Sequence, residues 1–257
     1  MSKLADAIKR SQRTESTPMG FGAARPAAKP SMLVGFFGAS ADAEKAREAG
    51  AEIIIVDAHS SGGLGKLLGA SPELPADAFK VDTSKAQPGG IFTDPDVAGA
   101  KALKERGFDF IVFDAGATPA AATLDEEIGY VLALASHEET FLRSLGALQL
   151  DAIYYGDMPS PLSVAKQLEI MRAASLAGKP LFVKVAADVS NEDLQCLRGA
   201  GVVAVMVGAA DAVAKVKETV AALPARKTRK DEARPVVALP RGGASEEHDH
   251  GDDDDDD

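Results

Sequence analysis

The chain has no tryptophan, a single cysteine and only 5% aromatic residues in its 257 positions. One cysteine, Cys196, excludes an internal disulfide, so the fold must rest on its core, and such usage fits a reducing compartment. Set among Leu176, Leu194 and Leu197, Cys196 reads as an ordinary helix residue rather than a nucleophile. No apolar run approaches the roughly 20 residues that cross a bilayer. The opening MSKLADAIKR is charged and has no apolar stretch of the kind a secretory signal needs. An excess of basic residues is missing too. The formal charge is -11, but nine of the acidic residues lie from Glu246 onward, and without them 28 basic residues face 30 acidic ones. A nearly neutral remainder argues against nucleic acid as a partner. The expectation is a cytoplasmic protein that engages a small molecule, with neither membrane nor nucleic acid; homo-oligomerisation is left open.

What is present is repetition. Eight times between Met32 and Val207, a short β-branched run is followed by a stretch with helical periodicity. The runs are MLVGFFG from Met32, EIIIVDA from Glu52, AFKVD from Ala78, FDFIVFDA from Phe108, IGYVLALA from Ile128, DAIYYG from Asp151, PLFVKVA from Pro180 and VVAVMVG from Val202. Strands alternating with helices predict a parallel sheet, and eight such units predict a single closed (β/α)8, or TIM, barrel over 32–223. The 46% hydrophobic content, poor in aromatics, suits strands buried on both faces. A leader, 1–31, precedes the barrel. Its LADAIKRSQR is able to form a short helix, its TPMGFGAARPAAKP is not, and such a segment is expected to cover the barrel bottom. Residues 224–257, with Pro, Gly and blocks of like charge, read as a disordered acidic tail. Its HDHGDDDDDD end offers weak divalent-cation ligands in His248 and His250, although a solubilising role is sufficient.

Several helix signals can be placed. Asp42–Gly50 reads as the first barrel helix with a glycine stop, and the same stop recurs in Gly199–Gly201. Thr93-Asp94-Pro95 predicts a helix start, with Thr or Asp as cap. Between Pro161 and Gly178, the stripe Leu162, Leu168, Ile170 and Met171 is expected to pack on the barrel.

The fold directs attention to the carboxyl ends of the strands, where chemistry sits on such barrels. Placing Lys184 inward on strand seven leaves Leu181, Val183 and Val185 to meet the helices, a complete apolar set. An inward Lys needs a carboxylate, and Asp57, Asp82 and Asp114 are the candidates. Lys184 then either closes a salt-bridged layer or serves as a general acid/base or Schiff-base amine. Asp57 and His59 end strand two, Lys80 and Asp82 strand three, Asp114 strand four, and Tyr154 or Tyr155 strand six. His59, beside Ser60-Ser61-Gly62-Gly63, suits proton transfer next to a loop that admits close backbone approach. His137 stands in SHEET, where Ser136 and Glu139 look like a helix cap with its capping-box partner. Asp57, His59, Asp114 and His137 would have to converge to hold a metal, and no metal site is assigned.

Val207-Gly208-Ala209-Ala210-Asp211 ends strand eight in small residues before a helix, offering backbone N–H groups to an anion. With the preceding DVSNEDLQCLRGAGVVAV, this stretch resembles the strand-seven-to-eight segment of phosphate-binding barrels, including FMN-dependent enzymes such as nitronate monooxygenases. The resemblance implies a phosphate or FMN held at Gly208, Ala209 and Ala210. Where those families commonly carry Gly-Gly after strand seven, this chain has Ala186-Ala187-Asp188. Three functions follow: an acid/base or Schiff-base enzyme using Lys184, Asp57, His59 and Asp114 on a small anionic or phosphorylated metabolite; an FMN-linked oxidoreductase; or a non-catalytic binding or scaffold barrel.

Overall fold

The computed structural model describes residues 2–12, 32–59 and 87–224. The chain divides after Ala225, and 226–257, with the expected tail, lie outside the described residues. Eight parallel strands close in sequential order: β1 (Leu33–Gly38), β2 (Ile53–Asp57), β3 (Gly89–Phe92), β4 (Phe110–Asp114), β5 (Gly129–Ala133), β6 (Ala152–Asp157), β7 (Leu181–Val185) and β8 (Val202–Val207), with β8 returning to β1. The described helices are α1 (Lys3–Gln12), α2 (Ala43–Glu48), α3 (Val97–Glu105), α4 (Glu139–Leu145), α5 (Val164–Ala177), α6 (Asn191–Gly199) and α7 (Ala212–Ala221). The TIM barrel read from the sequence is the fold.

Alternation along the strands makes two apolar layers. Outward residues such as Ile54, Val56, Ile111, Leu181, Val183, Val185 and Val205 join the helices in one buried cluster. Inward residues Leu33, Ile53, Ile55, Phe110, Val112, Val131, Phe182 and Met206 fill the interior in a second. α1 belongs to that inner cluster. Its Leu4, Ala7 and Ile8 lie on one helical face and are buried against the lower ends of the strands. Lys3 pairs with Asp109 at 2.9 Å, and Ser2 Oγ donates to Asp151 Oδ2 at 2.5 Å, so the helix is tied to the residues just before β4 and β6. The first part of the leader therefore covers the barrel bottom, as expected; 13–31 lie outside the described residues.

Strand three differs from the expectation. The slot between β2 and β4 is filled by Gly89–Phe92, not by AFKVD at 78–82, which lies outside the described residues together with Lys80 and Asp82. With strand three at 78–82, the segment QPGGIFTDP is expected to follow that strand as part of the connection to the next helix. Packing overrides that reading: a Cβ at Gly90 would collide with the Phe110 ring, so the bulk inside the barrel requires a residue without one. The glycine stops hold, with φ +90° at Gly50 and +99° at Gly201.

Three helix expectations are corrected. α3 begins at Val97, capped by Asp96, whose side chain accepts the Gly99 N–H at 2.6 Å; Thr93-Asp94-Pro95 stand before it. α4 begins at Glu139 with Glu138 at the cap, and Ser136 Oγ accepts the Glu138 N–H at 3.2 Å, so no Ser136–Glu139 capping box forms. On α5, Ile170, Ala173 and Ala177 pack on the barrel, while Leu168 and Met171 are exposed at 59% and 44%. Small residues bring that helix close, and the larger aliphatics are left on its outer side.

Candidate functional site

At the upper end of the barrel the inward positions change character. Below they are apolar; at the top they include Phe37, Asp57, Phe92, Asp114, Tyr154, Lys184 and Gly208. Lys184 faces inward as its register requires, since Phe182 before it joins the inner cluster and Val183 the outer one. Its Nζ lies 5.3 Å from the Phe37 ring centroid, within cation–π range. Its Cε lies 3.3 Å from where a Cβ on Gly208 would stand. The ammonium thus reaches the small-residue loop after β8.

Among the described residues its carboxylate is neither Asp57 nor Asp114, and Asp82 lies outside them. Asp157 Oδ1 stands 3.9 Å from Lys184 Nζ, and the Asp157 side chain is 78% exposed against 33% for Lys184. Strict alternation from Tyr154 would send Asp157 outward. β6 breaks alternation: Tyr154 pairs with Phe182, but Gly156 pairs with Val183 and Asp157 with Lys184, so Tyr155 is an extra residue. Gly156 permits this bulge with φ +107°, a conformation that L side chains rarely adopt. Two inward side chains, three positions apart, are the result.

Tyr154, not Tyr155, therefore faces the mouth. Its ring centroid lies 5.1 Å from that of Phe37, which in turn lies 5.7 Å from Phe92. Burial, and after it the carboxylates of Asp157 and Asp57, hold its phenol well above the usual tyrosine range, so it stays protonated. Tyr155 turns outward against His137, at 5.0 Å between ring centroids, and under the Lys166 ammonium. His137 therefore belongs to the helix layer and does not converge with Asp57, His59 and Asp114. Among the described residues, no three His, Cys, Asp or Glu side chains are grouped to hold a metal ion.

The wall opposite Lys184 is built from β2 to β4. Asp57 Oδ1 accepts the His59 N–H at 2.9 Å, and Asp114 Oδ1 accepts the Gly116 N–H at 2.7 Å, so each carboxylate shapes the loop that follows its strand. His59 stacks its edge on Phe92 at 4.7 Å and sets Nε2 3.4 Å from Asp94 Oδ2. The other Asp94 oxygen accepts the Asp114 N–H at 2.9 Å. Released from the expected cap role, Asp94 instead orients His59. Gly208 and Ala209 are exposed and Ala210 is buried, before a helix whose first amides, of Ala212 and Val213, already donate to Ala209 and Ala210.

The sequence reading missed Phe37, Phe92, Asp94 and Asp157. Alternation along MLVGFFG would have found Phe37. Asp157 depends on a bulge, and Phe92 on a strand written in turn residues.

Fold and site define a (β/α)8 barrel with a polar, aromatic-lined mouth at its carboxyl face. No protein-family model matches the sequence, and no curated protein is significantly similar to it. Among solved structures, the chain is similar to a mutant tryptophan synthase alpha-subunit from Pyrococcus furiosus, at TM-score 0.55 and 15% identity over 75% of this chain and 97% of that one. It is similar also to an HpcH/HpaI aldolase from Desulfitobacterium hafniense, at TM-score 0.51 and 14% identity over 77% and 96%. A FabK mutant from Thermotoga maritima matches at TM-score 0.49 and 14% identity over 81% of this chain, which spans 65% of that FabK chain. The likeness to the first two shows the shared TIM-barrel fold. Among the described residues, no helix is long and apolar enough to cross a membrane.

Proposed function

We propose that the mouth binds a small anionic metabolite, a carboxylate in preference to a phosphate, and that the protein is an acid/base enzyme acting on it. One observation carries this reading. Lys184, its side chain one-third exposed, brings its ammonium to the Gly208 loop, and its carboxylate neighbour, at 3.9 Å, is itself largely in solvent. A cation held for structure alone would be paired closely and out of water. His59 with Asp94 supplies a second proton-handling pair on the opposite wall. The ligand is the partner expected of this protein; nucleic acid and membrane are not.

The residues present do not fit FMN. Asp188 and Asp211 are exposed on the two loops that would hold its phosphate, and two carboxylates oppose a dianion. The same argument sets a carboxylate above a phosphorylated ligand.

The test is calorimetric titration of the full chain with pyruvate and with inorganic phosphate, repeated on Lys184→Met. Pyruvate should bind the parent protein, more tightly than phosphate, and the variant should lose about tenfold or more in affinity, as expected for a hydrogen bond to a charged group. Borohydride added with pyruvate then distinguishes a Schiff base on Lys184, read as a mass increase on that peptide, from purely ionic binding. No binding of either anion, or equal binding by the variant, would overturn the proposal in favour of a scaffold barrel.

A further inference from the structure

Steric crowding does not explain the glycine in the β6 bulge: a Cβ at Gly156 would meet nothing within 4 Å. What the φ of +107° accomplishes is the restart of alternation, which brings Asp157 into line with Lys184 while Tyr154 already faces inward. Bulges beside functional sites commonly re-aim a side chain in this way. Tyr154 and Lys184 then approach the Phe37 ring from neighbouring strands, at 5.1 Å and 5.3 Å. The Tyr154 hydroxyl makes no hydrogen bond to another described residue. A phenol and an ammonium that share one apolar ring, on neighbouring strands, are donors of the kind that receive an oxygen gaining negative charge.

We infer that Tyr154 is a catalytic residue, which with Lys184 forms a two-donor pocket for one oxygen of the ligand, and that the ligand is therefore a carboxylate carrying a carbonyl. Asp157, in this arrangement, is a positioning residue that holds the Lys184 ammonium over the pocket. The inference rests on the function proposed above and deepens it. Burial and the carboxylates of Asp57 and Asp157 keep the Tyr154 phenol protonated, so it donates to that oxygen rather than competing with it.

Oxalate, a planar mimic of the enolate of a 2-oxo acid, is the probe. It should bind the full-length protein more tightly than pyruvate, since such a pocket favours the charged oxygen. Tyr154→Phe should lose about tenfold or more for oxalate and little for inorganic phosphate, with an unchanged melting temperature. A second measurement does not depend on that variant folding. The chain has three tyrosines, so ring-labelled tyrosine gives three resonances. Oxalate should shift that of Tyr154 and leave those of Tyr130, whose hydroxyl donates to the Ala122 carbonyl at 3.1 Å, and of the outward-facing Tyr155. Asp157→Asn should move the Lys184 side-chain resonance, which a residue serving only the fold would not do. Equal oxalate affinity in Tyr154→Phe, or a Tyr154 signal unmoved at saturating oxalate, would overturn the inference. So would absence of oxalate binding: if pyruvate still bound, the function proposed above would stand without this pocket, and if neither bound, both would fall.

Discussion

The two ends of this barrel use the same residue types to opposite effect. At the bottom, α1 buries Leu4, Ala7 and Ile8, and the carboxylates are engaged by strands and helices. Asp109 accepts the Gly89 N–H at 3.0 Å and pairs with Lys3, while Glu52 accepts the Val34 N–H at 3.0 Å. At the top, Asp57, Asp94 and Asp114 hold the loops around an aromatic-lined mouth, and the ion pair of Lys184 among the described residues is with a distant, exposed carboxylate. The lower end is tied together by α1, which leaves a cavity of about 580 Å³ between Ile8, Asp125, Tyr130 and Asp151 at its side, and the upper end presents charge. Changes at the bottom should therefore cost stability, and changes at the top should cost function.

The largest effect is expected from Leu4→Ala. Leu4 is fully buried, and truncating such a residue costs about 2–5 kcal/mol, read as a lower midpoint in urea unfolding at unchanged slope. A cost below about 1 kcal/mol would mean that α1 does not close the bottom. Next comes Gly156→Ala, where a left-handed conformation forced on alanine costs about 1–2 kcal/mol or relaxes the bulge. It should weaken pyruvate binding as well, which an ordinary surface glycine would not do.

A smaller effect concerns pH. At the lower rim, Lys104 bonds Asp125 at 2.7 Å and Glu127 at 2.6 Å. These hydrogen bonds raise Lys104 from 10.5 to about 12, and the bond from Lys104 draws Asp125 below 3.8. The depressed Asp125 contributes stability above its unfolded value that is lost as pH falls through its folded one. The raised Lys104 contributes below 10.5 and loses this as pH climbs through about 12. Lys104→Met should therefore flatten the acid limb of urea-unfolding midpoints between neutral pH and pH about 3, and salt should diminish what it removes. An acid limb identical to that of the parent would show that the exposed pair contributes nothing. The smallest stability change is expected for Lys184→Met, under about 1 kcal/mol, because a partly exposed pair at 3.9 Å is worth little. Thermal unfolding showing several degrees of loss would make Lys184 a structural residue and erase the contrast between the two ends.

How far the sequence was legible follows the same division. Strands buried on both faces announce themselves by β-branched runs, and seven of eight strands and the inward register of Lys184 follow from that pattern. GGIF escaped because its glycines are there for the ring of Phe110, a contact distant in sequence. Asp57, Asp114 and the Gly208 loop were legible as strand ends. Asp157 and Asp94 were not, since one depends on an inserted residue and the other on a helix that starts two residues after the proline. Alternation carries information only while the strand remains regular, and the site is where it stops.

If the two ends differ as described, an anion lodges at the upper end of the barrel against Lys184. A crystal structure of the full chain with oxalate tests it most directly. Oxalate density is expected between the Lys184 Nζ, the Tyr154 hydroxyl and the Gly208 loop, over the Phe37 ring. Oxalate seated elsewhere on the protein, or a mouth that stays empty at saturating oxalate, would contradict it.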